Sequence, residues 1–411
     1  VEPVEDFKQS LDRYRQVLRE FPTYRRIDEV RYYLGRAALK AGKAKKDVQL
    51  QKEGVKYLND LVQLHPRSRF VANAYLALAE HHFDTDSLFY AKTNYEKIIQ
   101  NFPRARMFNY ALYKLGWVYF NLAEFERTVA TFKRVVKAIG KGSNRARIEF
   151  RSQALNDLVV TWVEIENGWR DARTYFLREV GEKDTYKKLE KMAGLLVAKD
   201  KHVEAIDLYN HLIKFHKVSP RIVEFFRAIM DVRHSVGAIA ETEREVNRLT
   251  AYFDKKGPWK TANRTNSEAM DGANALVAKW LYFLANQYHR QAQKKEKKGK
   301  PAKSDYRQAA HYYKMFLDRF PDHSTAYVSN FYYAEILYDQ LDEYEKAAVQ
   351  YEAVLEKDRR GEFVEDAALG VIYAVERMLV KEGLRENVSE GVKFEAKKKT
   401  ADLVADMFGD N

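Results

Sequence analysis

Four prolines at matching positions constrain this chain more than any other feature. Pro22, Pro66, Pro103 and Pro321 each follow a ring-bearing residue: Phe21, His65, Phe102 and Phe320. Twelve residues before each proline stands a small residue, Ser10, Gly54, Ala91 or Ala309, and eight before stands Tyr14, Leu58, Tyr95 or Tyr313. Thirteen residues after each stands another small one, Gly35, Ala79, Gly116 or Ala334. Agreement at three fixed offsets marks an internal repeat, and a repeat of this period is a supersecondary unit that must stack on its neighbours to bury an apolar face.

The stretch "ALYKLGWVYFNLAEFERTVATF" (111–132) shows what one unit contains. Leu112, Leu115 and Tyr119 recur at helical spacing, so one stripe is buried. Gly116 lies on that stripe, although glycine costs a helix about 1 kcal/mol relative to alanine, which predicts a second helix in close approach. Thr128, Phe132 and Val135 supply that second helix's matching stripe. The proline then ends it, because proline lacks the amide donor and clashes with the preceding turn. Each unit is therefore a pair of antiparallel helices.

These residues resemble the tetratricopeptide repeat, whose pattern runs Leu/Trp, Leu-Gly, Tyr, then Ala, Phe, Ala and Pro. The Ala79-to-Ala91 and Gly116-to-Thr128 intervals match that family's spacing, while three extra residues after proline depart from its strict period. The departure looks like the variety found in bacterial envelope proteins, namely outer-membrane assembly lipoproteins of the BamD type and periplasmic Tol-associated coordinators of cell division. The stretch 320–358 is the nearest match. The resemblance implies an all-α fold, a right-handed superhelical solenoid of about nine such helix pairs with a concave face. It also implies a location in the bacterial periplasm, with outer-membrane anchoring as one form of it; the cytoplasm is the alternative.

Weaker units fill the middle. Residues 188–217 keep Ala193, Ala205, Tyr209 and Leu212 at the right offsets, with Lys217 where proline would stand, and 154–181 fits loosely. A first helix at 276–293 is separated from its partner at 305–320 by the insertion "KKEKKGKPAKS" (294–304), expected to be a solvated, mobile loop. "DKKGPWKTANRTNSE" (254–268) breaks the helical pattern with Gly-Pro and a polar run. The expected division is therefore an N-terminal lobe at 1–256, a linker or kink at 257–267 and a C-terminal lobe at 268–411. The tail "FEAKKKTADLVADMFGDN" reads as half a unit.

Composition agrees with a folded helical chain. Of 411 residues, 46% are apolar and 32% charged, with only 8 prolines and 18 glycines to break helices. The absence of cysteine excludes disulfides, thiolate metal sites and cysteine nucleophiles. A chain starting "VEPVEDFKQS" without Met is expected to have lost a signal or lipid-attachment segment. Its least charged stretch, Met107–Ala123, contains Lys114 and is too short to span a bilayer, so the sequence reads as soluble. A net charge of +12 admits acidic proteins, anionic lipid surfaces or nucleic acid as partners.

No catalytic constellation emerges, so no enzyme and no cofactor are expected. His81 and His82 are adjacent on a helix and point about 100° apart, while His211 and His216 face differently, so neither pair converges on a metal. "GKGSN" (140–144) lacks the strand and the Lys-Ser/Thr ending of a phosphate loop. The six lysines of 294–303 would hook anionic lipid or simply solubilise an insertion, and they lack the interleaved aromatics of nucleic-acid binding.

The resemblance places the partner-binding residues on first helices, three before and one, four and five after the small residue. Carried over, these are Tyr113, Trp117, Phe120 and Asn121 around Gly116; Tyr32 and Arg36 around Gly35; and Leu76 and Glu80 around Ala79. Tyr282 and Asn286 flank Ala285, and Phe331, Glu335 and Tyr338 flank Ala334. The expected function is a scaffold holding peptide or protein partners on that surface, within an envelope machine for assembly, division, motility or secretion. The alternative is a ligand- or glycan-sensing array hinged near Gly257–Pro258.

Overall fold

The stripe pattern becomes helix after helix in a computed structural model, which describes residues 8–140, 144–237 and 239–381. Among these there are nineteen α-helices, one π-helical segment and no strand. Two compact units divide between Leu212 and Ile213.

The first unit contains α1 (Lys8–Glu20), α2 (Ile27–Lys45), α3 (Val48–Leu64), α4 (Val71–Asp84), α5 (Leu88–Asn101) and α6 (Phe108–Asn121). It continues with α7 (Phe125–Ile139), α8 (Arg145–Glu164), α9 (Trp169–Val180), α10 (Glu182–Ala198) and the start of α11 (His202–His216). The second holds α12 (Ile222–Ser235), α13 (Ile239–Tyr252), α14 (Pro258–Asn263), α15 (Ser267–Glu296) and α16 (Lys303–Arg319). It ends in α17 (Ala326–Glu335), the π-helical Ile336–Gln340, α18 (Tyr344–Lys357) and α19 (Val364–Lys381). Below, A and B denote the first and second helix of a pair. Eight complete pairs stand among the described residues, with α1 before the first and α19 after the last, close to the nine expected.

The stripes read from 111–132 are core. Leu112, Leu115 and Tyr119 of α6 are buried, as are Thr128, Phe132 and Val135 of α7. A Cβ on Gly116 would meet the Phe132 ring at 2.5 Å, so the glycine is where α7 crosses α6. Cores continue from one pair into the next A helix: Ala79, Ala91, Tyr95 and Ile98 of α4 and α5 pack with Ala111, Leu115 and Val118 of α6.

The three extra residues after proline form two successive turns. After Pro103, Ala105 N–H donates to Phe102 C=O at 3.0 Å and Phe108 N–H to Ala105 C=O at 2.9 Å. The same two bonds recur beyond Pro22, Pro66 and Pro321. They also recur where Lys217 stands in place of that proline: Ser219 N–H donates to His216 C=O and Ile222 N–H to Ser219 C=O, with Pro220 inside the second turn. Gly361 and Val364 repeat them after Asp358. The junction is a property of the fold, and proline is one of several residues that can open it.

In six of the eight pairs the turn between the helices is just as regular. Asp86, Ala123, Asn167, Asp200, Gly237 and Asp342 all adopt left-handed φ of 52–73°. Each lies five residues before a buried small residue of its B helix: Ala91, Thr128, Ala172, Ala205, Thr242 or Ala347. This places the loosely fitting middle units in the same register. The last pair has one departure: Ala334 to Ala347 spans thirteen residues where Ala79 to Ala91 spans twelve, and the π-helical turn absorbs the extra one.

Two expectations about irregular segments are corrected. The 257–267 stretch, expected as the linker between lobes 1–256 and 268–411, lies inside the second unit and is largely ordered by packing. Pro258 opens α14, Trp259 is buried and donates its indole N–H to Ser219 C=O at 2.8 Å, and Asn263 Nδ2 donates to Val218 C=O at 2.8 Å. The Lys-rich insertion is shorter than 294–304, because α15 runs on to Glu296 and α16 starts at Lys303. Lys295 Nζ meets the buried Asp305 carboxylate at 2.6 Å and Tyr306 donates to Glu296 at 2.6 Å, clamping the loop's base. The start of the chain at 1–7, residues 141–143 of "GKGSN" and the tail at 394–411 lie outside the described residues. No described helix is long and apolar enough to cross a membrane.

Candidate functional site

Three of the five residues that stand three before the small position, Tyr32, Tyr113 and Phe331, are joints between successive repeats. Tyr32 stacks on Phe70, the residue before α4, with centroids 4.9 Å apart. Tyr113 meets Phe150 of α8 edge-on at 5.1 Å, and its hydroxyl donates to Asp157 and accepts from Gln153 Nε2, both at 2.8 Å. Phe331 stacks on Phe363, just before α19, at 4.3 Å. All three are buried, so they do not offer free surface. Leu76 packs into the core shared by α4, α5 and α6, and Tyr282 is half-buried against Phe316 of its own pair at 5.7 Å. On an A helix this position sits almost one turn toward the N-terminus, which is where the next pair is laid.

The positions after the small residue are more open. Arg36 and Asn121 are exposed. Trp117 and Phe120 are half-buried, edge-on to each other at 5.2 Å, with Phe132 and Phe125 of α7 behind them at 5.8 and 5.6 Å. Asn286 is held within its unit, donating to Tyr282 C=O at 2.8 Å and accepting from the Tyr313 hydroxyl at 3.3 Å. Glu335 accepts from the Tyr351 hydroxyl, and Tyr338 meets Tyr344 edge-on at 5.5 Å.

Two clefts gather these side chains. Between α2 and α4 a cleft of about 480 Å³ is lined by Arg36 and Glu80 together with Tyr33, Lys40, Lys43 and Asp84. Arg36 donates to the Tyr32 hydroxyl at 3.2 Å, Glu80 accepts from Tyr110 at 3.0 Å, and Lys43 pairs with Asp84 across the cleft. A second cleft of about 430 Å³, beside the π-helical turn, brings Phe331 and Glu335 near His289, Glu296 and Asp339. Burial raises the pKa of Glu335, reinforced by Asp339 and opposed by the Tyr351 hydroxyl; burial also raises that of Asp339 and lowers that of His289. Among the described residues no group of three ligating side chains is placed to hold a metal. The His81 and His82 rings lie tilted 5.4 Å apart, with His82 also against Tyr90.

Sequence reasoning missed Tyr33, Lys40 and Lys43 in the first cleft. The signal was present: α2 is longer than the other A helices near it, and its extra turn carries the lysine.

Tyr113 gives the joints a pH dependence. Burial, reinforced by Asp157 and opposed by hydrogen bonds from Trp117 and Gln153, pushes its pKa up to about 12 from an ordinary value of 10.0. Burial raises Tyr110, Tyr175 and Tyr333 to about 12 as well. The folded chain then holds protons that the unfolded chain releases first, so stability falls as pH rises from about 10 to about 12. Thermal midpoints measured across that window should decline, and less steeply for Tyr113→Phe. A flat profile would refute buried, proton-holding tyrosines at the joints.

Residues 110–138 match the tetratricopeptide repeat family model. No curated protein matches the chain. Among solved structures, a structure of Naa15/Naa10 bound to HypK-THB aligns with 92% of this chain and 66% of that one, at 14% identity and a TM-score of 0.32. A tetratricopeptide repeat protein from Parabacteroides merdae aligns with 73% of this chain and 98% of its own, at 13% identity and a TM-score of 0.26. The P58(IPK) TPR domain aligns with 92% and 98%, at 14% identity and a TM-score of 0.27. The matched segment, residues 110–138, runs from α6 through nearly all of α7 and so is similar to one tetratricopeptide repeat, and five other helix pairs share its left-handed turn and its register.

Proposed function

We propose that this chain is a non-enzymatic scaffold that holds a peptide or protein partner on the exposed faces of its A helices. The observation that carries the reading is the α2–α4 cleft, which joins Arg36 and Glu80, from two successive repeats, in one concavity of about 480 Å³. A concavity of this size with a few convergent polar groups suits a ligand segment. Beside it on the next A helix, Trp117 and Phe120 present half-buried rings, the kind of side chain that anchors an interface once a partner covers it. The finer reading, a place in a bacterial envelope machine, rests on the four proline-opened junctions and their likeness to envelope repeat proteins.

The test is affinity capture of the intact protein from its native cells, wild type beside Arg36→Glu with Trp117→Ala, followed by mass spectrometry. The double variant should lose about tenfold or more of its specific partners, the equivalent of about 1.4 kcal/mol. Undiminished recovery would remove this surface from consideration. Envelope components among the wild-type partners support the location, whereas a set of cytoplasmic partners refutes it and leaves the scaffold reading intact.

A further inference from the structure

Within the first unit, α8 and α10 enclose another cleft, of about 530 Å³. Its lining includes the aliphatic Ile148 and Leu155 of α8 and Val180 of α9. Its walls are basic: Arg151 from α8, and Lys187, Lys188 and Lys191 from α10, against Asp184 as the one acid in the lining.

The cations are only partly neutralised. Arg151 Nη2 meets the Glu179 carboxylate at 3.0 Å, and Lys187 Nζ meets Asp184 at 3.4 Å. Lys188 Nζ has a neutral partner, Asn156 Oδ1 at 3.0 Å, and lies 5.5 Å above the Phe176 ring. Neither Lys188 nor Lys191 forms an ion pair among the described residues, and the buried Arg151 Nε has no acceptor. Lys188 is half-buried, and its pKa is lowered first by that burial and then by the neighbouring charge of Lys191, with Arg151 adding to the effect and Asp184 opposing it. A half-buried ammonium among like charges is costly unless an anion joins it. Carboxylates entering the cleft would supply the missing charge.

We propose that the α8–α10 cleft holds a short segment of a protein partner in which acidic and apolar residues alternate. In an extended segment successive side chains point to opposite sides and alternate ones lie about 7 Å apart. Lys187 and Lys191, one helical turn apart, are spaced about 6 Å along α10. Acidic side chains on one edge therefore meet Lys187, Lys188 and Lys191, while the apolar ones rest on Ile148 and Leu155. The lining offers no aromatic ring on which a base would stack, which favours peptide over single-stranded nucleic acid. This inference rests on the scaffold reading, and it adds the chemistry of the bound segment.

The experiment is fluorescence anisotropy of the whole protein with a short fluorescein-labelled peptide of alternating Glu and Leu. Wild type should bind it saturably, less tightly as salt rises, and should ignore the Lys-Leu counterpart. Lys187→Glu with Lys191→Glu reverses two exposed charges and should weaken binding about tenfold or more, with circular dichroism unchanged. Absence of saturable binding, equal binding by the variant, or tighter binding of an oligothymidine than of the peptide would each overturn the proposal. If peptide binding fails while native partners are still captured through Arg36 and Trp117, only this inference falls. If that capture also proves independent of those residues, the scaffold reading falls with it.

Discussion

Replacing Trp259 by Ala should destabilise the second unit by about 3–5 kcal/mol, the range for deleting a large buried aromatic side chain. The indole is 1% exposed, packs edge-on against Phe253 at 4.6 Å, and donates to Ser219 C=O at 2.8 Å. Truncation removes the apolar contacts, leaves a cavity and strands that carbonyl. The short helix α14 has little else to hold it, since six residues are far below the length at which a helix is stable in isolation. Trp259→Phe keeps most of the volume and loses the hydrogen bond, so it should cost less, about 1–3 kcal/mol. Urea denaturation followed by hydrogen exchange over 213–263 reads both. A loss below about 1 kcal/mol for the alanine variant would show that the side chain is not core. The same packing ties down the segment next to Gly257–Pro258, near which the ligand-sensing alternative placed its hinge.

The second large effect is expected at the crossing of α2 and α3. Gly54→Val should cost about 3 kcal/mol or more, at the upper end of overpacking. A Cβ at position 54 would come within 2.8 Å of Gly35 C=O and 2.9 Å of Leu39 N, which are backbone atoms and cannot swing aside. Gly35 answers from the other helix, where a Cβ would lie 2.6 Å from Leu58 Cγ. Alanine would gain about 1 kcal/mol of helix propensity at either site, so the steric term has to exceed that gain for the glycines to be required. Gly194 of α10 is the internal control: nothing lies within 4 Å of its Cβ position, and Gly194→Ala should stabilise by up to about 1 kcal/mol. Amide exchange in α2 and α3 should rise sharply in Gly54→Val and hold steady in Gly194→Ala. Tolerance of valine at position 54 would mean that the two helices do not cross at the glycines.

Much of the fold was legible because its rules act over short distances. A buried stripe needs apolar residues at helical spacing, a close crossing needs Gly35, Gly54 or Gly116, and a helix end accepts proline. Each leaves its mark within one unit, and their recurrence identified helix pairs before any coordinates. The π-helical turn was legible in principle, as thirteen residues from Ala334 to Ala347 where twelve are usual. The register of 188–217 was legible from Ala193 and Ala205, but that of the neighbouring pairs was not, because their left-handed turn residues are Asn167 and Gly237, with no shared side chain to align on.

The candidate site was less legible. Tyr32, Tyr113 and Phe331 occupy positions where a single repeat would expose an aromatic ring, and each is covered by a residue 32 to 38 positions further along the chain: Phe70, Phe150 and Phe363. The clefts have the same origin, since Arg36 and Glu80, or Arg151 and Lys188, come together only when one A helix is laid beside the next. The sequence by itself determined the helices, their pairing and where they can touch, because those depend on neighbours within a turn or a pair. Tertiary structure alone decided which surfaces remain open and what charge they carry, because burial and electrostatic environment are set by residues from other repeats.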